Sequence, residues 1–520
     1  MSTATQPNIL TIILDDTDFS MMRWSGGERV LSPAIDGIAA SGTVCSRFYV
    51  NAAVCTPGRY CYLTGHYAGR CPNPLLTAKS QPDEPHCIEW NTHLDPDRET
   101  ALPRVLQQAG YVTGHVGKYH CGNGQQGDLE PVGPDDDPYD PSVQRRLRHN
   151  HDRYRAALQR AGYDFADAVT WGNADNRVIT RLHEHNLEWI CKGALDFLDE
   201  HGQGERPWHL NIATSTMHGP SHEAAIDADV QLTGAGVVPG LETVMPPRNS
   251  LRQRLRARGL PVNHRTVGML WTDDLVAAVL ARLRRIGRDQ DTIVVFSTDH
   301  NCFDGKASCY EGGVHVPFAI SWPGVIPAGA TCEQLLMNVD LLPTLAGIAG
   351  ATLPDQTCDG SDFLPVVTGR EPVAGRWLYF DYGYQRAISD GRWKYIATRL
   401  PQRFIERMRS GATDVAINHV GKPGGNLVAK RYPHYWEPDQ LFDLSLDPDE
   451  RQNLIGAIGL DERTADMQRR LQTLCDGFDR PFDVGTVDPW LHSEDYRALC
   501  HAAEDRFDPR QWEWYAKCWY

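Results

Sequence analysis

At 520 residues the chain is longer than one hydrophobic core usually supports, so it should form one large domain plus a smaller one, or two to three domains. Hydrophobic residues make up 41% and charged residues 23%, an ordinary globular composition. The net charge of −16 speaks against a broad nucleic-acid or anionic-membrane surface, which needs clustered Lys and Arg to displace counterions; an anionic ligand must be held by a local patch.

The first element is "NILTIIL", an apolar strand that runs into Asp15-Asp16. No basic segment precedes it and no run of 18 or more apolar residues follows anywhere, so neither a signal peptide nor a membrane span is expected, and the expected location is cytoplasmic. Ser32-Pro33 opens a helix that Gly42 ends. In "NAAVCTPGRYCYLTGHYAGR", residues 51–70, Cys55 stands just ahead of Pro57 at a second helix start, where positive backbone amide ends favour an anion. A helix ending at Gly110 leads to the strand "YVTGHVG", followed by Lys118 and His120. A helix ending at Gly202 leads to "WHLNIATST" and then His218; one ending at Gly287 leads to "DTIVVFST" and then Asp299-His300.

Short apolar strands alternating with helices place the chain in the α/β class, with a large, mostly parallel sheet sandwiched by helices. Ligands of such sheets collect beyond the carboxyl ends of the strands, so four polar clusters are aimed at one edge. After residue 370 the texture changes to aromatic, alternating stretches with a hairpin-like Ser389-Asp390-Gly391, which suggests a smaller antiparallel sheet. The expected division is residues 1–370, a smaller domain at 371–485, and an aromatic tail at 486–520. The tail carries Trp490, Trp512, Trp514, Tyr515, Trp519 and Tyr520, which should pack on their own subunit or across a homo-oligomer contact. "GATDVAINHVGKPGGNLVAKRYPHYW" is Gly-rich and irregular, an insertion or a loop over a site.

The 14 cysteines include no CxxC pair, so most should be reduced core residues. A thiolate phosphatase loop is disfavoured at Cys55, because only three residues separate it from Arg59; a plain buried cysteine and an anion-binding position both stay open. Asp15, Asp16, Asp299 and His300 suit a hard divalent cation such as Ca²⁺ or Mg²⁺ better than structural zinc. Arg59, Lys118, Lys306, His120 and His218 add cationic and proton-carrying groups at the same edge, which fits an anionic, tetrahedral substrate.

These segments together resemble the sulfatase family of the alkaline phosphatase superfamily. Cys-Thr-Pro-Gly-Arg with "YCYLTGHYAGR" is similar to the family signature, and "DDTD", "GKYHCG", "DHNCFDGKASCYEGGVHVP" and "LFDLSLDPDERQNL" resemble further family motifs, covering most of the chain. The resemblance implies an arylsulfatase-like sulfuric ester hydrolase whose Cys55 is oxidised by a formylglycine-generating enzyme to formylglycine. The hydrate of that aldehyde is the nucleophile, and a covalent sulfo-enzyme intermediate follows. It also implies one divalent cation, Ca²⁺ before Mg²⁺ or Mn²⁺, held by Asp15, Asp16, Asp299, His300 and the modified Cys55. Arg59 would hold the hydrate, Lys118 and Lys306 the transferred group, His218 would be the general acid and His120 the helper in intermediate breakdown, the last two roles being exchangeable. His300 stands where many members have asparagine and is shared with phosphonate monoester hydrolases, which makes phosphonate monoesters or phosphodiesters the alternative substrates. His315 replaces a common arginine. A non-catalytic binder of sulfated glycans is the remote alternative. Substrate specificity should come from residues 120–160, 220–260 and 401–436.

Overall fold

The seven residues Asn8–Leu14, β1, are all buried, and they alternate between two cores: Leu10, Ile12 and Leu14 face one, Ile9 and Ile13 the other. This period of two on a strand covered on both sides is why the sequence shows a continuous apolar run instead of an amphipathic one. The computed structural model describes residues 6–504 apart from 28, 79, 123–126, 303–304, 354–357, 371–374 and 413–427. Much of the Gly-rich insertion and the tail aromatics Trp512, Trp514, Tyr515, Trp519 and Tyr520 therefore lie outside the described residues.

After β1 come α1 (Pro33–Ala40), β2 (Thr43–Cys45), α2 (Cys55–Thr64), β3 (Val112–Lys118), α3 (Pro141–Arg160), β4 (Phe165–Thr170), α4 (Leu187–His201), β5 (Trp208–Ala213), α5 (His264–Arg285), β6 (Thr292–Thr298), β7 (Ala319–Ser321) and β8 (Ala330–Cys332). Among the described residues the strands form one eight-stranded sheet in the order β8-β2-β7-β6-β1-β5-β3-β4. Only β7 runs against its neighbours. Residues of α1, α4 and α5 fill the core on one face, and residues of α2 fill the other. The α/β class and the sandwiched, mostly parallel sheet agree with the sequence reading. Residues 141–160, expected to contribute a specificity loop, form α3, started by Asp140, whose carboxylate accepts from the backbone N–H groups of Ser142 and Val143.

The second sheet is antiparallel, β9 (Leu378–Tyr382), β10 (Gln385–Ser389), β11 (Trp393–Thr398) and β12 (Asp439–Asp443) in sequence order. The hairpin between β10 and β11 turns at Gly391, φ 86°, with the Asp390 carboxylate accepting from the N–H groups of Arg392 and Trp393. This sheet shares the α2-side core: Tyr379, Phe380 and Tyr382 pack with Tyr49, Tyr60 and Tyr67. Asp381 N–H donates to Asn51 O at 3.1 Å, which ties β9 to the chain just ahead of Cys55. Trp490 packs edge-on to Tyr496 of its own chain, 5.4 Å between ring centroids.

On the opposite face the buried Glu188 of α4 holds Arg248 through two hydrogen bonds, 3.0 Å to Nε and 2.5 Å to Nη2, and accepts from Trp271 Nε1 at 3.2 Å. Glu188→Ala strands a buried guanidinium over the Trp271 ring, 4.7 Å from its centroid, and should cost about 3–5 kcal/mol. Urea unfolding checks this: the midpoint should fall while the m-value stays constant.

Candidate active site

The four strands with polar sequels are neighbours in the order β6-β1-β5-β3. Their register pairs Leu14 with Thr298, Ile13 with Ala213, and Ala213 with Gly117. Asp15 and Asp299 therefore fall level with each other just past the carboxyl edge, and Thr214 and Lys118 fall level with Leu14 and Thr298, one residue earlier. Two glycines permit this. A Cβ on Gly117, φ 95°, would lie 1.9 Å from Ala213 O, and the ladder with β4 shifts register here, which re-aims Lys118. A Cβ on Gly58 would lie 2.3 Å from Asp299 O, so glycine lets α2 rest against the end of β6.

All ten residues of α2 are buried, and the helix begins at Cys55 itself, two residues before Pro57. Its N-cap, Val54, offers no side-chain acceptor, and the Thr56 hydroxyl is buried without a partner. The positive end of the helix is thus open toward the site. Cys55 Sγ lies 3.5 Å from Asp15 Oδ1 and 3.3 Å from His300 Nε2. Burial pushes its thiol far up, with Asp15 and Asp299 adding to the effect against Lys118 and Lys306, so as a cysteine it stays protonated and is a poor nucleophile.

Three carboxylates meet three cations around it. Lys118 Nζ bonds Asp15 Oδ2. Lys306 Nζ lies 2.7 Å from both oxygens of Asp16, and Arg59 Nε and Nη2 both lie 2.9 Å from Asp299 Oδ2. Arg59 Nη1 donates to Lys118 O at 2.9 Å, joining α2 to β3. Burial alone would raise Asp15 and Asp16, yet the facing cations win: Lys118, His218 and Arg59 hold Asp15 well below the carboxylate range, and Lys306, His218 and His300 hold Asp16 at about 2. Asp299 is raised, by burial and by Asp15.

Asp15, Asp16, Cys55 and His300 each offer one ligand atom, and these atoms all lie within 4.8 Å of one another. Asp299 faces the same space through Oδ1, 3.6 Å from His300 Nε2, while its Oδ2 is taken by Arg59. His300 Nδ1–H donates to Asn301 O at 2.7 Å, so in the neutral ring Nε2 carries the lone pair and points at Asp16 Oδ1, 3.1 Å away. Oxygen donors plus one correctly oriented imidazole fit a hard divalent cation; a thiolate at residue 55 would fit one less well than an oxygen there.

One of the two candidate acid–base histidines, His218, bonds an amide that the sequence reading missed. Asn173 Oδ1 accepts from Lys118 Nζ at 2.6 Å, which turns its Nδ2 toward His218 Nε2 at 3.2 Å. His218 Nδ1–H donates to Gly219 O, so in the neutral ring Nε2 accepts from Asn173 Nδ2, and it lies 4.0 Å from Asp16 Oδ2. His120 is wholly removed from water at Nδ1, which has no partner among the described residues, and burial followed by Lys118 and Arg59 drives its pKa well down. Both Asp16, φ 52°, and His120, φ 50°, hold left-handed backbone conformations that non-glycine residues adopt at a cost of about 1–3 kcal/mol. Asn173 follows β4, whose "FADAVTWGN" is too short and mixed to stand out as another strand feeding the same edge. His315, by contrast, is structural: it is stacked on Phe19 and Tyr49 at 4.1 and 4.9 Å, and its Nε2–H donates to Ser46 O.

Comparison with known proteins agrees with this geometry. The sulfatase family model matches residues 7–351. The chain is 26% identical to arylsulfatase A of Homo sapiens over 494 residues, 88% of this chain and 85% of that one. It is 27% identical to N-acetylgalactosamine-6-sulfatase of Canis lupus familiaris over 402 residues, 75% of this chain and 71% of that one. Among solved structures, Ps i-CgsB in complex with k-i-k-neocarrahexaose superposes with a TM-score of 0.61 at 18% identity, covering 96% of this chain and 98% of that one. The PsFucS1 sulfatase from Pseudoalteromonas sp. gives 0.56 at 18% identity, covering 93% and 92%.

A divalent cation should stabilise the fold by relieving repulsion within the acidic cluster. In chelator-treated protein, Ca²⁺ or Mg²⁺ at about 100 times its Kd should add about 2.7 kcal/mol, read as a rise in thermal midpoint, and Asp16→Asn should remove the response. A wild-type midpoint indifferent to both ions would show that the cluster holds no cation.

Proposed function

The chain belongs to the sulfatase family, whose members are sulfuric ester hydrolases, and from that premise we propose that it cleaves sulfate monoesters with residue 55 as nucleophile after Cys55 has been oxidised to formylglycine. The observation that carries this reading is the placement of Cys55: a buried thiol at the open N-terminus of α2, facing Asp15 and His300. An aldehyde there hydrates to a geminal diol, which presents oxygen where the thiol presents sulfur. A formylglycine-generating enzyme is the partner this requires.

In the proposed reaction Arg59, anchored by Asp299 and Lys118 O, positions the diol, and one hydroxyl passes its proton to Asp299, whose Oδ1 faces the same space, as it attacks sulfur. The ester S–O bond breaks as His218, protonated at both ring nitrogens when substrate is bound, gives its Nε2 proton to the leaving oxygen, and the sulfuryl group is carried on the residue 55 oxygen. The second hydroxyl then loses its proton, with His120 assisting. Its electrons form the C=O bond, the bond from carbon to the sulfated oxygen breaks, sulfate leaves, and water rehydrates the aldehyde. Lys118 and Lys306 neutralise the sulfuryl oxygens. Asp15, Asp16 and His300, with Asp299 beside them, would hold a divalent cation, which when bound polarises those oxygens and lowers the pKa of the diol.

A second reading rests on His300 standing among the ligands: a phosphonate monoester or phosphodiester hydrolase with the same apparatus. Matched aryl sulfate and phenyl phosphonate esters separate the two.

The tryptic peptide "FYVNAAVCTPGR" from active protein should carry an aldehyde at residue 55, seen by mass and by capture with a hydrazide. A free thiol there in fully active protein overturns the mechanism. Loss of the general acid should depend on the leaving group: His218→Ala should slow hydrolysis of an alkyl sulfate by about 10²–10⁴-fold, and that of 4-nitrophenyl sulfate, whose phenolate leaves unprotonated, far less. Equal losses on both esters would remove His218 from that role.

A further inference from the structure

Beside the reacting groups lies a cavity of about 570 Å³, the size of a small-molecule site, walled on its inner side by His120 and Asn173. Since Asn173 touches both Lys118 and His218, this is where the alcohol part of a substrate would extend when its sulfate sits on the lysines. One wall is a flat aromatic face: Trp171 is stacked on Tyr154, 5.2 Å between centroids at 22°, with Tyr119 tilted against it at 5.5 Å. Such a face suits a ring.

Arg177 also lines this cavity and is bound in an unusual way. Its Nη1 donates to Leu182 O at 2.7 Å and to Glu184 O at 3.0 Å, and Nη2 makes one long bond, 3.4 Å, to Thr170 Oγ1. Among the described residues no carboxylate comes within 4.0 Å of it; Glu184 is near enough to be felt but makes no ion pair. Desolvation without a close counter-ion lowers its pKa to about 10. Backbone carbonyls on Nη1 fix the plane of the guanidinium, and Nε–H with the second Nη2–H is left for a ligand. Thr170 is paired with Lys118 across the ladder, so one strand spacing of about 4.8 Å separates the strand carrying the sulfate-binding lysine from the strand that Arg177 touches.

We infer that Arg177 is a specificity residue that binds a second anionic group, a carboxylate or a further sulfate, on a ring-bearing alcohol whose first sulfate is cleaved. The inference rests on the sulfate-ester reading above and adds a substrate class to it: sulfated sugar acids or multiply sulfated sugars rather than neutral monosulfates. Glu130, the lone carboxylate among the described residues lining the cavity, then serves as an acceptor for ring hydroxyls.

The test is a set of esters cleaved at the same position by the full-length, aldehyde-bearing enzyme: a sulfated hexose, the corresponding sulfated hexuronic acid, and a disulfated hexose, with 4-nitrophenyl sulfate to report the basic reaction. Wild-type kcat/KM should favour at least one of the two anionic esters over the neutral one by about tenfold or more, as expected of a charge-assisted bidentate contact. In Arg177→Ala that ratio should fall by about tenfold, chiefly through KM, and Arg177→Lys should keep part of it. Preference for the uronate identifies a carboxylate, and preference for the disulfate a second sulfate. If the wild type treats all three sugars alike within about twofold, or if both variants keep the full preference, Arg177 has no such role, whether or not a variant is stable. If 4-nitrophenyl sulfate and all three sugars go uncleaved, the sulfate-ester reading itself fails and this inference with it.

Discussion

Three carboxylates packed out of water within reach of one another repel strongly, and the placement of Asp15, Asp16 and Asp299 is tolerable only because three cations reach them. Each cation comes from a different part of the chain: Arg59 from α2, Lys118 from β3, Lys306 from the segment after β6. The compensation is therefore a folding constraint as much as a catalytic one, since the sheet cannot close around its aspartates until the elements bearing their partners are docked. With every pair formed, the cluster is balanced at three charges of each sign, leaving a bound divalent cation as net positive charge. That excess suits a site receiving a sulfuryl anion and an ionising hydroxyl.

Much of this arrangement was legible in the sequence because parallel sheets write their sites at strand ends. Asp15-Asp16, Lys118, His218 and Asp299-His300 each follow an apolar run, and the register of β6, β1, β5 and β3 brings all four together. What stayed hidden depends on tertiary contact rather than local pattern. Asn173 has meaning only because β4 is the neighbour of β3 and because its amide is turned by Lys118. Arg177 has an ordinary sequence context, and only the carbonyls around it and the lack of a close carboxylate set it apart. His315 stands out as an unusual residue in a familiar motif, yet it is packed on two aromatic rings, bonded to a carbonyl and 3.9 Å from the Glu311 carboxylate.

The small sheet supports the site from behind. Lys394 of β11 is fully buried between Glu311 and Glu450, 3.0 Å from each, and Glu311 lies five residues beyond Lys306. Burial and Glu311 raise Glu450 to about 7, so this second charged cluster can shed negative charge by taking up a proton, as Asp15 and Asp16, held ionised by cations, do not. Asp381 does similar work, accepting from Gly69 N–H and donating its own N–H to Asn51 O, four residues before Cys55. The position of α2 thus depends on chain more than 300 residues further on.

Burial of Cys55 also has a consequence for the life history of the chain. Only 1% of the residue is accessible, every other residue of α2 is buried, and β9 holds the chain ahead of it through Asn51. A second enzyme cannot seat residues 51–59 in its own active site once these contacts exist. Under the oxidation proposed above, the enzyme that alters Cys55 would have to meet an extended, unpacked segment, early in biosynthesis, in competition with folding. Faster collapse of the sheet would then lower the yield of modified protein, and a host that folds the chain well need not be one that matures it.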